Sequence, residues 1–247
     1  MRSRYPSAST FAYSFGPGPI TPAIKILIGV NVVAFLVTLF VPTIVRALGL
    51  LPAAVVHGAV WQIVTYMFLH AGPMHLLFNM LTLWMFGVEL ERMWGTVYFT
   101  KFYFVTGICA GLTQVLLGIL PLPFASQFYD VVTIGASGAI YGVLMAYAIY
   151  YPHRPILMFG IFPLPARIFV TIMGALSLLF AAGGSGGIAH TAHLGGMAAA
   201  YLYLRGMRVH LLSEIQYRYL KWRINRSRRR FDIYKGGRAE DVDRRVH

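Results

Sequence analysis

Six apolar segments alternate with more polar connections and dominate the pattern of hydrophobic and polar positions along the chain. Most are close to the length of about 20 residues with which a helix crosses the hydrocarbon core of a bilayer. In lipid, a single segment can satisfy its backbone hydrogen bonds only as a helix, so the pattern predicts helices. The predicted segments are 26–46, 75–91, 97–120, 137–151, 166–182 and 189–205.

The composition supports a membrane protein. Of the 247 residues, 57% are hydrophobic and 12% are charged, whereas a soluble domain has about 25% charged residues. The predicted fold class is therefore an all-α membrane protein built as a bundle of six transmembrane helices. The single cysteine, Cys109, excludes an intramolecular disulfide and does not indicate a redox compartment.

The chain divides into three predicted parts. Residues 1–23 are rich in Ser, Pro and Gly and are predicted to form a disordered cytoplasmic leader. Residues 24–205 form the six-helix domain, and 206–247 form a basic cytoplasmic tail. No cleaved signal peptide is predicted, because the first apolar segment is too long and no small-residue cleavage site follows it.

The tail has two interpretations. Thirteen basic and five acidic residues lie from residue 205 onward, which places eight of the thirteen net positive charges there. Leu212, Ile215, Tyr219 and Trp222 recur at helical spacing, which indicates an amphipathic helix on anionic lipid of the inner leaflet. An equally supported interpretation is a solvated cluster of positive charges that determines the orientation of the protein in the membrane. Nucleic-acid binding is not expected.

The distribution of Lys and Arg predicts the orientation. The connections 48–74, 121–136 and 183–188 contain neither residue, whereas the other connections and both termini do. Arg46 is the one exception. The positive-inside rule therefore places both termini in the cytoplasm, with the plasma (inner) membrane as the expected location. Segments two, four and six then run parallel, from outside to inside.

Four polar residues on these three parallel segments are predicted to share one depth. Counted from the inner ends at about 1.5 Å per residue, they lie roughly 10 Å below the outer face of a core about 30 Å thick. Polar residues inside a span indicate a functional site, although each alone would fit a helix cap or an interhelical hydrogen bond. They are His75, Asn79, Ser137 and His193.

The chemistry that these residues suggest is acyl transfer. A serine hydroxyl becomes a good nucleophile only beside a base, and His193 is the candidate base for Ser137. No carboxylate lies at this depth on segments two, four and six, so a Ser–His dyad is predicted rather than a triad. Tyr141, one turn after Ser137, is predicted to stack on the imidazole.

The predicted site also contains donors for an oxyanion. His75 and Asn79 are four residues apart and project from one helix face. The Ser137 N–H and the positive end of its helix add to them. Small residues on both helices predict close backbone packing beneath the dyad; they are Gly138, Gly142, Gly196 and Ala200.

Residues 24–205 resemble the rhomboid family of intramembrane serine proteases. The resemblance lies in HAGPMHLLFN (His70 to Asn79), GVELERMWG (Gly87 to Gly95), GASG (Gly135 to Gly138) and HLGG (His193 to Gly196). It implies a catalytic dyad of Ser137 and His193, oxyanion donors at His75 and Asn79, and Tyr141 stacked on His193. It also implies transmembrane proteins as substrates, a small residue at the cleavage position, and no metal or other cofactor.

Other classes fit less well. GASGA lacks the last glycine of the GxSxG nucleophile elbow, which argues against an α/β-hydrolase. There is no HExxH motif for zinc. An aspartyl intramembrane protease would need two membrane aspartates, and Asp130 is the one aspartate in the sequence before the tail. A transporter should show inverted repeats, and none is evident. A rhomboid-like protein that binds membrane helices without cutting them stays an alternative, although Ser137 and His193 argue against it.

Three features stay open at this point. The Gly-rich connection 183–187 is either a plain connector or a mobile cap over the site. His190 is expected to cap or pack near the outer surface. The long connection 48–74 contains Trp61, a residue type common at membrane interfaces, and by resemblance would lie partly in the outer leaflet.

Overall fold

The structure, a computed structural model, describes residues 16–121, 125–158, 162–182, 187–208 and Lys221. This part of the chain is mainly helical. It divides after Tyr203 into two units, and nearly all of the second unit lies outside the described residues. The predictions for residues 1–15, for the connection 183–186 and for the amphipathic tail helix therefore lie outside them too.

Eleven α-helices occur in the described residues. A 3₁₀ turn (Tyr66–Phe68) follows α4, and a π turn (Leu83–Gly87) joins α5 to α6 in one continuous run. In chain order the helices are α1 Pro22–Phe40, α2 Ile44–Leu48, α3 Pro52–Val56, α4 Gln62–Thr65, α5 Pro73–Thr82, α6 Val88–Trp94, α7 Thr96–Ile119, α8 Ser126–Tyr129, α9 Ser137–Tyr150, α10 Ala166–Ala182 and α11 Gly187–Arg208.

Each of the six predicted segments corresponds to a helix or to a continuous helical run, with ends that differ by a few residues. The first segment is the exception. It was predicted to extend to residue 46, but α1 ends at Phe40, before Pro42, and Ile44–Leu48 forms the separate helix α2. Within the described residues, α1 and α7 alone are long and apolar enough to cross a membrane by length and composition. A third crossing results if Gln62–Phe68 and Pro73–Trp94, bent by 96°, form one span. The count of six spans therefore stays a prediction.

Helix α7 is the centre of the helical core. It packs against α9 and also contacts α1, α3, α4, α6 and α8. Its buried positions alternate large aromatic side chains with small residues, including Phe102, Thr106, Gly107 and Ala110. Because small residues allow close approach of backbones, α7 provides the support against which α9 is positioned.

The Glu91 carboxylate on α6 fastens the N-terminus of α1. It accepts hydrogen bonds from the N–H groups of Ala23 (2.9 Å) and Ile24 (3.1 Å), from the Thr96 hydroxyl (2.8 Å) and from the Thr21 hydroxyl. The first N–H groups of a helix have no partner within the helix, and a carboxylate there also complements the helix dipole. Glu91 thus caps α1 from a distant part of the chain.

A Glu91→Gln variant is expected to lose stability of about 2–3 kcal/mol, because an NH₂ group would replace one of two acceptor oxygens in a buried cluster of donors. Thermal unfolding in detergent measures this change. The matched control is Glu89→Gln, which removes the same charge from the same helix but whose partners are the half-exposed Arg154 side chain and the Tyr147 hydroxyl rather than the N–H groups at a helix terminus. Equal unfolding temperatures for both variants would contradict the capping role.

The leader differs from its prediction where the structure describes it. Arg92 donates hydrogen bonds to the carbonyl oxygens of Pro17 and Pro19, and the backbone at Gly16 lies against the Trp84 ring. Residues 16–21 are therefore held against the π turn and α6, and α1 begins at Pro22. A proline at the first turn of a helix is favourable because its missing N–H would be unpaired there in any case.

The connection 48–74 is structured. Side chains of α4 and its flank bind the last carbonyl groups of α2: Trp61 Nε1 donates to Ala47 O (2.9 Å) and Thr65 Oγ1 to Leu48 O (2.6 Å). Gln62 Oε1 accepts from the Leu51 N–H (3.0 Å). These bonds fold α2 to α4 into a compact connection rather than a loose loop.

A β-hairpin is the main departure from the predicted all-α class. Strands β1 (Pro155–Met158) and β2 (Phe162–Pro165) pair antiparallel between α9 and α10, with Ile156 opposite Leu164. Backbone bonds from Ala166 N to Arg154 O (2.9 Å) and from Arg167 N to Pro152 O (3.2 Å) close its base. All of its side chains are apolar, so the alternation between two faces that signals a strand is absent from the sequence.

Candidate active site

The segment before Ser137 is fixed by backbone bonds to the connection 48–74. Leu50 and Thr133 exchange both of their backbone hydrogen bonds (2.8 and 2.9 Å), and the Gly135 N–H donates to Tyr66 O (2.9 Å). Gly135 has φ of +129°, a conformation that favours glycine. The turn at Gly135 then lets α9 begin with Ser137 as its first residue.

Ser137 and His193 lie in hydrogen-bond contact. The distance from His193 Nε2 to Ser137 Oγ is 2.8 Å, and both residues are half-buried. The two helices touch through their backbones beneath this pair: a methyl group on Gly196 would overlap the Gly138 carbonyl oxygen and lie 2.8 Å from its carbon. The close approach of α9 and α11 therefore depends on glycine at Gly196.

The small-residue face of α9 is shared between two neighbours. A methyl group on Gly138 would lie 2.6 Å from Ala110 Cβ, and one on Gly142 would lie 2.7 Å from Thr106 Cβ. Both contacted residues belong to α7. Gly142 therefore packs on α7, whereas the backbone of Gly138 contacts Gly196 on α11.

Tyr141 holds the imidazole by stacking. Its ring lies parallel to that of His193, with centroids 4.1 Å apart and an interplanar angle of 5°. His193 Nδ1 is buried and has no hydrogen-bond partner among the described residues. No carboxylate orients the base from behind in this part of the chain, so the aromatic stack and the bond to Ser137 fix the ring.

A Tyr141→Phe variant is expected to keep peptide-bond cleavage within a few-fold of the wild type, whereas Tyr141→Ala should lose about tenfold or more. Phenylalanine preserves the stacked ring, and alanine releases the imidazole from a geometry in which a shift of about 1 Å can cost up to 100-fold in rate. The measurement is the initial rate of substrate cleavage, with unfolding temperatures to exclude misfolding. A Phe variant as impaired as the Ala variant would show that the hydroxyl, rather than the stack, matters.

His75 lies beside the nucleophile. Its Nε2 is 3.0 Å from the point where a Gly135 Cβ would stand, and Ser137 Oγ is 3.6 Å from that same point. The Ala71 N–H donates to His75 Nδ1 (3.3 Å). In the neutral ring Nδ1 is then the acceptor, so Nε2 bears the hydrogen and is a donor near Ser137.

Asn79 lies one turn further along α5 and is buried. One hydrogen of its amide donates to its own helix, at the His75 carbonyl (2.9 Å). An amide NH₂ has two donor hydrogens, which leaves one for another acceptor. The prediction that Asn79 binds an oxyanion remains a prediction.

His190 lies next to the dyad on α11. The His190 ring packs between Phe180 (centroids 5.1 Å apart) and His193 (5.5 Å), in line with the packing role that was expected. Within the described residues no three His, Cys, Asp or Glu side chains converge as ligands.

Two residues close to the site were assigned no role from the sequence. Tyr66 is fully buried; its carbonyl holds Gly135, and its hydroxyl donates to Gly107 O (2.7 Å) on α7. His70, also buried, meets the edge of the His75 ring with centroids 5.0 Å apart. Both lie in the connection 48–74, whose fold the sequence did not reveal; the position of His70 within the HAGPMHLLFN stretch was the one available signal.

Fold and site together define a helical membrane protein in which a serine at a helix N-terminus contacts a histidine on a neighbouring helix. The family model of the Rhomboid domain matches residues 57–209. The chain belongs to the rhomboid family. Its apolar helices and this family membership make it an integral membrane protein.

Several curated proteins are similar to this chain over part of their length. Rhomboid protein 1, mitochondrial, of Saccharomyces cerevisiae is 35% identical over 140 residues, which cover 55% of this chain and 38% of that protein. Putative rhomboid protease YdcA of Bacillus subtilis is 36% identical over 93 residues (38% and 42%). Rhomboid protease GluP of the same species is 37% identical over 92 residues (37% and 16%). The chain thus spans less than half the length of these three relatives.

Proposed function

We propose that this protein is an intramembrane serine endopeptidase that hydrolyses peptide bonds in or near the transmembrane segments of membrane proteins. The observation that carries the proposal is the 2.8 Å contact between Ser137 Oγ and His193 Nε2. Two of the similar proteins are named as rhomboid proteases, which supports the same chemistry. The catalytic residues are Ser137 and His193.

The proposed reaction has two halves. Ser137 Oγ attacks the substrate carbonyl carbon while His193 Nε2 takes its proton; the tetrahedral intermediate then collapses, and His193 gives the proton to the leaving amine. In the second half, water attacks the acyl-enzyme, with His193 again taking and returning the proton. The products are a new carboxylate and a new amine, and the serine is regenerated.

The oxyanion of each tetrahedral intermediate is stabilised by donors already in place. The His75 Nε2–H lies beside Ser137, and the Ser137 N–H is among the helix-terminal groups without an intrahelical partner. The second amide hydrogen of Asn79 is a further donor. Because these groups do not need to reorganise during the reaction, they favour the charged intermediate over the neutral substrate.

We propose that the site lies below the outer face of the membrane in a bundle of six spans. Both termini are in the cytoplasm, and the protein is in the plasma (inner) membrane. Helix α9, with 14 residues, is only about 21 Å long, whereas the hydrocarbon core is about 30 Å thick. Ser137 would then lie at the floor of a depression open to water. A substrate helix must unwind locally there, because an intact helix keeps its backbone groups bonded.

A His75→Ala variant is expected to lower the cleavage rate by about 10- to 100-fold, since a single oxyanion donor contributes up to about 10²–10³ and other donors remain here. The reason is the loss of the Nε2–H beside Ser137. The measurement is kcat for a transmembrane substrate, with KM determined in parallel. The matched control is His57→Ala, directly after α3, where the exposed ring bonds the Ala53 carbonyl oxygen of that helix. A loss confined to KM would argue against an oxyanion role.

The proposal is tested with purified protein reconstituted into vesicles together with a model transmembrane substrate. The expected result is two fragments whose new termini, mapped by mass spectrometry, lie in the outer part of the substrate helix. Substrate that crosslinks to the protein but stays intact would instead indicate a rhomboid-like protein that binds membrane helices without cutting them. Cleavage outside the membrane-proximal region would contradict the proposed depth of Ser137.

A further inference from the structure

The β1–β2 hairpin carries an exposed apolar surface. Leu157 is 57% exposed and Phe162 is 60% exposed, while Ile156 on the opposite face of β1 is only 7% exposed. The sequence from Pro155 to Pro165, PILMFGIFPLP, contains no charged or polar side chain. Exposed apolar surface of this kind indicates contact with a membrane or with another protein.

The base of the hairpin lies at the level of an interfacial band. Helix α9 ends at Tyr150, whose ring packs edge-on to Trp94 (centroids 5.4 Å apart), and Trp94 in turn contacts Tyr98 (5.1 Å). Trp and Tyr concentrate where hydrocarbon meets headgroups. Since α9 begins at Ser137, this band and the hairpin lie at the end of α9 opposite the candidate active site.

Charge at the base also favours lipid. Arg154 pairs with Glu89 (2.5 Å), but Arg167, exposed at the start of α10, forms no ion pair among the described residues. A cation at this level can bind an anionic headgroup. An apolar surface with an exposed arginine beside it complements the boundary between acyl chains and headgroups.

Pairing with a strand of another protein is disfavoured. Pro155, Pro163 and Pro165 lack the N–H groups that an added strand would require, and proline commonly protects the edges of sheets from such pairing. The strand edges also set the depth. Unpaired backbone groups do not enter the hydrocarbon core, so the hairpin fits the headgroup boundary rather than the interior.

We propose that the β1–β2 hairpin inserts its Leu157 and Phe162 side chains into the membrane interface at the end of α9 opposite Ser137, with Arg167 against anionic headgroups. The hairpin is then a lipid-binding element through which α10, which packs on both strands, is fixed at the interface. This inference does not depend on catalysis, and it holds whether or not the protein cleaves substrates.

The test uses nitroxide labels at Leu157→Cys and Phe162→Cys in a Cys109→Ser background, with the full chain reconstituted in phosphatidylcholine vesicles with and without phosphatidylglycerol. Collision rates with oxygen and with a water-soluble nickel complex report the depth of each label. Val33→Cys on the exposed face of α1 is the lipid reference, and Gln127→Cys on α8 is the aqueous reference. Unfolding temperatures verify that each variant is folded.

The expected result is that both hairpin labels collide with oxygen more, and with nickel less, than Gln127→Cys, at a depth shallower than Val33→Cys. Anionic lipid should increase this difference, and Arg167→Gln should remove the increase. Nickel collision equal to that of Gln127→Cys would overturn the proposal. So would labels that are immobile and shielded from both reagents, since that result would indicate contact with protein.

Discussion

A Ser137→Ala variant is expected to cleave transmembrane substrate at a rate lower by on the order of 10⁴-fold or more, which in practice is no detectable product. The hydroxyl is the atom that forms the covalent bond, and no other described hydroxyl contacts His193 Nε2. The measurement is product formation in two separate vesicle preparations, one with the wild type and one with an equal amount of the variant. Substrate binding, measured by crosslinking, should persist because the methyl group of alanine leaves the surrounding packing intact.

The matched control for this loss is Ser126→Ala, which removes an exposed hydroxyl from α8. Its cleavage rate should equal that of the wild type. If the Ser137→Ala protein continued to release the same two fragments, the nucleophile would have to be another group. The proposed mechanism would then fail even though the geometry of the dyad is unchanged.

A Gly196→Ala variant is expected to lower both stability and activity, the latter by on the order of 10²-fold or more. The added methyl group would overlap the Gly138 carbonyl oxygen, so α9 and α11 must separate or shift, and overpacking of this kind costs about 1–3 kcal/mol or more. The same shift lengthens the 2.8 Å contact between Ser137 and His193. Unfolding temperature and cleavage rate, measured on one preparation, report both effects.

Two further glycines calibrate this prediction. A methyl group on Gly195 would overlap Thr113 Oγ1 and lie 2.8 Å from Thr113 Cβ, which is a clash with a side chain rather than with a backbone carbonyl, and one on Gly29 would meet nothing within 4 Å. The expected order of impairment is therefore Gly196→Ala, then Gly195→Ala, with Gly29→Ala close to the wild type. An unimpaired Gly196→Ala protein would show that the helices can separate at that point without cost.

The helices were predictable because their signals are local. Long apolar segments in a chain with few charges indicate spans, and Pro22, Pro73 and Gly95 lie at helix boundaries. The encounter of Ser137 with His193 was also predictable. The sequence predicts two parallel helices that carry these residues at similar distances from their C-terminal ends, and small residues beside them favour a close approach.

The neighbours of each helix were not predictable in the same way. The small-residue face at Gly142 meets Thr106 of α7, and nothing in the sequence of α9 distinguishes that partner from α11. The bend of 96° between Gln62–Phe68 and Pro73–Trp94 lies at the break 69–72, and the sequence does not indicate its angle. For this reason Tyr66, which holds the segment before Ser137, was not recognised from the sequence.

The hairpin was missed for a different reason. Strands are recognised by alternation of polar and apolar residues, and every residue from Pro155 to Pro165 is apolar or glycine. Such a pattern is expected if one face packs on the protein and the other contacts lipid. The absence of the signal is therefore consistent with the interfacial position proposed for this element.

The most direct test of the central claim is covalent labelling of the detergent-purified protein with a fluorophosphonate, followed by mass spectrometry of its peptides. Such a reagent reports a serine whose hydroxyl is activated by a base. The dyad predicts one adduct, on Ser137, which is lost in Ser137→Ala and strongly reduced in His193→Ala, while Ser126→Ala labels as the wild type does. Labelling of Ser137 that is equally strong without His193, or an adduct on another serine with Ser137 unmodified, would contradict it.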